Sequence, residues 1–176
     1  MGLRVARAAS ERVPPGAEII RVERLSPAFI KYHLNNGQTL HHFRREEPRA
    51  KPHDHPWGFE TEILAGGYVE EVFHVLPSGG WNSELVHRAP GTVHQIEARH
   101  IHRIVELPAG DCWTLVRAGP SERSVRFWKF GATIKSRAHN RGRFVENRRQ
   151  VWMPFKHHPK GADVCLSAFR HEARYS

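Results

Sequence analysis

The chain has 176 residues, 39% of them hydrophobic and 26% charged, which suits one domain with its own core and excludes two large domains or a wholly disordered polymer. Its formal charge of +9 is uneven: residues 1–120 hold 14 Lys/Arg and 14 Asp/Glu, and residues 121–176 hold 13 against 4, so a neutral body carries a basic tail. No run approaches the ~18 apolar residues of a membrane span and the N-terminus lacks the apolar centre of a signal peptide, so a cytoplasmic location is expected. Cys112 and Cys165 are too few for a disulfide framework or a thiolate cluster, which leaves nitrogen and oxygen as metal donors.

Residues 1–17 carry no period and end in Pro14-Pro15-Gly16, reading as a loose leader. Residues 27–34 and 38–43 alternate apolar and polar around Asn35-Asn36-Gly37, the pattern of a β-hairpin. After a charged turn from Glu46 to Pro52, short segments rich in Val, Ile, Phe, Tyr, Trp and Thr follow at 53–56, 59–65, 67–75, 83–88, 91–97, 101–107, 112–118 and 124–130, separated by Pro/Gly turns. That spacing predicts an all-β sandwich or barrel over residues 18–130. Beyond Gly131 the alternation decays into a basic, partly irregular C-terminal extension, 131–176, with an aromatic patch at Val151-Trp152-Met153-Pro154-Phe155.

The chemistry concentrates in His53-Asp54-His55-Pro56-Trp57-Gly58-Phe59-Glu60. On an extended strand residues two apart share a face, so His53 and His55 project together and Asp54 points away. Two imidazoles on one face form a chelating pair, and further ligands must come from other strands. Glu60, with Glu62 at the same parity, and the pair His100/His102 are the candidates.

The first block reads H-x-H, four residues, Glu60, five residues, Gly66, and resembles the first motif of the cupin superfamily. The stretch from Pro90-Gly91 to Ile104 resembles the second motif. The resemblance covers roughly residues 38 to 118. It places the third ligand on His102 with His100 as the alternate, because the turn at Glu97-Ala98-Arg99 has neither Pro nor Gly. Both a three-His site and a three-His-one-Glu site with Glu60 fit this pattern. The Asp-His-Pro-Trp string looks like a small cupin branch found in bacteria and their phages.

The resemblance implies a double-stranded β-helix, the cupin jelly-roll barrel, with a divalent metal at the bottom: Fe(II), or else Mn, Ni or Zn. By parity with the ligands, Glu62, Leu64 and Ile104, with Trp113 or Thr114, should line the pocket. Trp57 and Phe59 should lie beside the metal, and Arg44, Arg45, Arg103 and Arg117 are candidate anion clamps. The expected function is an Fe(II)-type oxygenase acting on a small polar molecule, with Glu62 or Arg103 handling protons and charge. A non-redox isomerase or lyase on the same barrel, and a non-catalytic module whose basic tail contacts nucleic acid, are the alternatives. A homodimer formed through the N-terminal strands is the expected assembly.

Overall fold

The computed structural model describes residues 7–47, 50–131, 134–140 and 143–146. Residues 151–155 and Cys165, singled out above, lie outside the described residues, as do residues 1–6 of the leader. Among the described residues no helix is long and apolar enough to cross a membrane.

The first layer is a six-stranded antiparallel sheet. It takes β1 (Ile19–Arg24), β2 (Phe29–Leu34), β3 (Thr39–Phe43), β4 (Phe59–Ala65), β7 (Val93–Ile96) and β9 (Cys112–Ala118), in the order β1-β2-β3-β9-β4-β7. The second layer begins with β5 (Tyr68–Val75), β6 (Trp81–Arg88) and β8 (Ile101–Glu106), ordered β6-β5-β8. It continues with β10 (Arg126–Lys129), β11 (Lys135–Asn140) and β12 (Arg143–Glu146). His53 bridges the two halves of this layer, pairing with His102 on one side and Phe127 on the other. The chain thus folds as an antiparallel jelly roll with His53 near the middle of one wall.

The hairpin expected at Asn35-Asn36-Gly37 joins β2 to β3. Gly37 takes φ 81°, a backbone conformation that costs glycine little. Gly66 is required for a second reason: besides φ 80°, a Cβ there would meet the Asp111 carbonyl. The turn into β5 therefore sits flush against the start of β9.

Alternation along β2 sorts its side chains. Ile30 and Tyr32 pack outward with Leu40, Trp113 and Ala9 into one cluster, whereas Phe29, Lys31 and His33 face the interior cavity. A second cluster of Ile63, Tyr68, Leu107 and Cys112 lies deeper. Burial pushes the Cys112 thiol up to about 12, so it acts as a small apolar residue.

Three features depart from the sequence reading. Part of the leader is docked: residues 7–10 form a helical turn that buries Ala9 in the outer cluster, and Arg12 lies 4.9 Å over the Trp113 ring. β1 forms where no strand is predicted, because it is an edge strand with Ile20 and Val22 exposed and so lacks a clean alternation. β11 and β12 form within the polar stretch after Gly131, where ladder pairing to β10 and to each other orders a backbone with no apolar pattern.

Candidate metal centre

The segment 52–55 threads between β8 and β10. The His53 N–H donates to the His102 carbonyl and the His102 N–H donates back to the His53 carbonyl, both at 3.0 Å. Asp54 N–H donates to the Arg126 carbonyl and Trp128 N–H to the Pro52 carbonyl. Asp54 points away from the cavity, as its parity requires, and is fully buried. Its carboxylate accepts from the Arg126 backbone N–H at 2.6 Å and from the Trp128 indole at 3.1 Å, with the Arg123 guanidinium at 3.0 Å. Burial raises its pKa to about 6 against the opposing pull of these donors. Asp54 fastens β10 to the segment that carries the histidines.

On the other face of that segment His53, His55 and His102 converge, each offering one nitrogen, with all three nitrogens within 4.8 Å of one another. Their ring centroids lie 5.0 to 5.1 Å apart. The His53 Nδ1–H donates to the Lys51 carbonyl at 3.1 Å and the His102 Nδ1–H donates to the Glu70 carboxylate, which leaves both Nε2 lone pairs turned toward the cluster. The His55 and His102 Nε2 atoms are 2.9 Å apart. Burial, reinforced by the neighbouring His102, holds His53 down at about 3 and His55 well below the usual imidazole range, so these rings are neutral at physiological pH.

At that distance a His55 Nε2–H donates to the His102 Nε2 lone pair when no ion is held, and in the other His55 tautomer both lone pairs are aimed at a common point. Two imidazoles bound cis to one ion at about 2.1 Å each would be about 3 Å apart, so the donor set fits a divalent transition metal.

Glu70, on β5, is the residue that sequence reasoning missed. It is fully buried, yet its pKa is lowered. Burial alone would raise it, and the histidines His100 and His102 together with the Arg88 guanidinium outweigh that. Arg88 Nε donates to Glu70 at 2.7 Å, and His100 Nε2 lies 3.5 Å away. His100 therefore sits on the Glu70 side of His102 and is absent from the three-His group, although Glu70, His100 and His102 form a second close cluster. The available signal was a pair of acids, Glu70-Glu71, inside the apolar run of β5.

The structure does not bring Glu60 to the imidazoles. Glu60 and Glu62 take the outer face of β4, and the cavity side of that strand belongs to Phe59 and Thr61. Glu60 instead pairs with Arg117 and accepts from Gln95 at 2.8 Å. Counted in twos from His53 and His55, the inward positions are 57, 59 and 61, so Glu60 has the outward parity, and it is the family motif that points to it. For the same reason Leu64 falls in the outer cluster with Trp113, whereas Ile104 and Thr114 do line the cavity. Arg103, next to an inward His102, faces out and pairs with Glu71 at 2.7 Å. Arg44 reaches the Pro27 carbonyl at 3.4 Å, and its neighbour Arg45 lines the cavity in its place.

Trp57 and Phe59 do line the cavity, with the Phe59 ring edge-on to His55 at 4.7 Å. The cavity is about 440 Å³, within the ~300–1,000 Å³ of small-molecule sites. Its walls are mostly apolar and aromatic, unlike the surroundings expected for a small polar substrate. His41, on β3, faces it with no hydrogen bond among the described residues and with the Phe29 ring edge-on at 5.1 Å.

The described strands form an antiparallel jelly roll of the cupin kind, and the H-x-H pair and a strand-borne third His meet in its interior. No family model matches the chain, and no curated protein sequence matches it. Several solved structures have a similar fold. Drosophila melanogaster CENP-C bound to CAL1 is 8% identical, covers 67% of this chain and 95% of its own, and has a TM-score of 0.48. The hydroxypropylphosphonic acid epoxidase of S. wedmorenis is 9% identical over 60% of this chain and 56% of its own, at 0.42. The polyketide cyclase RemF from Streptomyces resistomycificus is 23% identical over 84% and 91%, at 0.39.

Proposed function

We propose that the protein is a mononuclear metal-dependent enzyme of the Fe(II) oxygenase type, holding its ion by His53, His55 and His102. The observation that carries this reading is the convergence of His53, His55 and His102, one ring nitrogen each, on one end of the cavity. When bound, an Fe(II) ion supplies redox chemistry with dioxygen and Lewis acidity toward a substrate, and Mn(II), Ni(II) or Zn(II) suit the same nitrogen donors. Glu70 orients His102 and keeps its Nε2 free, and the Lys51 carbonyl does the same for His53. Phe59 and Trp57 restrict water beside the histidines. Proton transfer falls to His41 rather than to Glu62 or Arg103, because of these three it is His41 that lines the cavity. Burial lowers its pKa well below the usual range, so it stays a neutral imidazole with a ring nitrogen at the cavity free among the described residues, a weaker base than an exposed histidine.

That same imidazole favours a second reading, a non-redox isomerase or lyase in which His41 moves a proton on a substrate held at the ion. Oxygen consumption separates the two. We also propose a homodimer, with the exposed edge strand β1 as its contact, checked by sedimentation. Nucleic-acid binding by the tail is the less favoured role for residues 131–176.

The test is metal content. The purified protein should bind about one equivalent of Fe(II) or Co(II), and His53→Ala and His55→Ala should each lose it while remaining folded. Full occupancy in both variants would show that the ligands are wrong. Less than a tenth of an equivalent in the wild type after reconstitution would end the enzyme reading.

A further inference from the structure

The walls and the mouth of the cavity differ in character. Phe29, Phe43, Phe59, Tyr68, Leu107 and Phe127 make the body of the cavity apolar and largely aromatic. Charged side chains ring its mouth, and those of opposite sign are not equally occupied. Glu23 pairs with His33 at 2.9 Å, Glu47 accepts from the Ser26 hydroxyl at 2.7 Å, and Glu46 accepts from the Leu107 N–H at 3.2 Å. The side chains of Arg45 and Lys51, which also line the cavity, make no ion pair or hydrogen bond among the described residues. A rim whose acids are engaged and two of whose bases are not is complementary to an anion. Apolar walls behind it fit a ring system that would leave water poorly satisfied if it were small and polar.

We propose that the cavity binds an aromatic carboxylate, with the ring system among the aromatic walls and the carboxylate held at the mouth by Arg45 and Lys51. This assignment rests on the reading of the cavity as the reaction site, and it replaces the small polar substrate by an amphipathic one. Lys51 serves twice, its backbone carbonyl fixing His53 and its ammonium facing the ligand, so one residue couples the anion to the metal-binding end.

The experiment is calorimetric titration of the full chain, Co(II)-loaded and EDTA-treated, with 2-naphthoate, the neutral 2-naphthalenemethanol and oxalate. The expected result in both forms is that 2-naphthoate binds about tenfold more tightly than the alcohol. The Arg45→Ala/Lys51→Ala variant should bring the acid down to the affinity of the alcohol and leave the alcohol unchanged. Equal binding of acid and alcohol by the wild type, binding of neither, no effect of the double variant, or oxalate binding more tightly than 2-naphthoate would each overturn the assignment. Co(II) absorption, recorded in parallel, keeps the two readings apart. Co(II) binding without naphthoate preference removes the substrate class alone, and naphthoate preference without Co(II) binding removes the metal enzyme alone.

Discussion

Glu60 and Glu70 each pair with an arginine from a neighbouring strand, and the two pairs sit in opposite surroundings. Glu60 and Arg117 lie on the outer wall, 27% and 56% exposed, with Gln95 as a further surface partner. Glu70 and Arg88 are 0% and 15% exposed, and the remaining Glu70 oxygen is spent on His102. In water the outer pair loses little on separation, since each ion regains hydration. Inside, the loss of one partner strands a charge. The motif resemblance favoured the carboxylate that the fold leaves outside, and the carboxylate that touches the site has no place in the motif.

The widest separation is expected in stability. Glu70→Ala should cost about 3–5 kcal/mol because it leaves the mostly buried Arg88 without its carboxylate and the buried His102 Nδ1 without its acceptor, and Glu60→Ala should cost at most about 1 kcal/mol; urea denaturation of both variants measures the difference. Equal costs would break the contrast. The next effect is on the ion. Glu70→Gln preserves the shape but weakens the acceptor that orients His102, and should lower Co(II) affinity by about 10–100-fold. Glu60→Gln should leave it unchanged in the same competition titration. A loss with Glu60→Gln would return that carboxylate to the site.

Much of this was legible in the sequence. The hairpin at Gly37, the strands from β4 to β10 and the pair His53/His55 follow from local signals, namely turn chemistry and a period of two. His102 is singled out by the resemblance to the second cupin motif, with His100 as the alternate. Taking Glu60 as a ligand from the motif also turns Glu62 and Leu64 inward, whereas the period of two set by His53 and His55 runs on through the turn into β4 and places Phe59 and Thr61 in and Glu60, Glu62 and Leu64 out. What was not legible depends on chain paths between elements. Glu70 reaches His102 only because β5 and β8 are neighbours in the ladder, a pairing of residues 32 apart that no local pattern encodes. β11 and β12 are visible only through their partners, since ladder hydrogen bonds do not require apolar side chains.

The smallest effect sharpens the contrast on the outer side of the six-stranded sheet, where a histidine is buried without joining the metal cluster. His42 stacks on Trp113 at 3.7 Å and its Nε2–H donates to Asp111 at 3.0 Å, while its buried Nδ1 has no hydrogen-bond partner among the described residues. Burial lowers its pKa below 6.5, more than the Asp111 carboxylate raises it. Protonation would add a buried N–H with nothing to accept it. Because the unfolded chain takes up that proton more readily, the stability due to His42 is fully present above pH 6.5 and is lost as pH falls through the folded-state value. His42→Phe keeps the stack and removes the titration. The stability difference between wild type and variant should therefore move in favour of the variant as pH is lowered from about 7.5 to about 5.5, read from thermal midpoints at each pH. A difference that does not change with pH would mean that Asp111 compensates the burial in full, and that the outer face treats a buried imidazole as mildly as it treats Glu60.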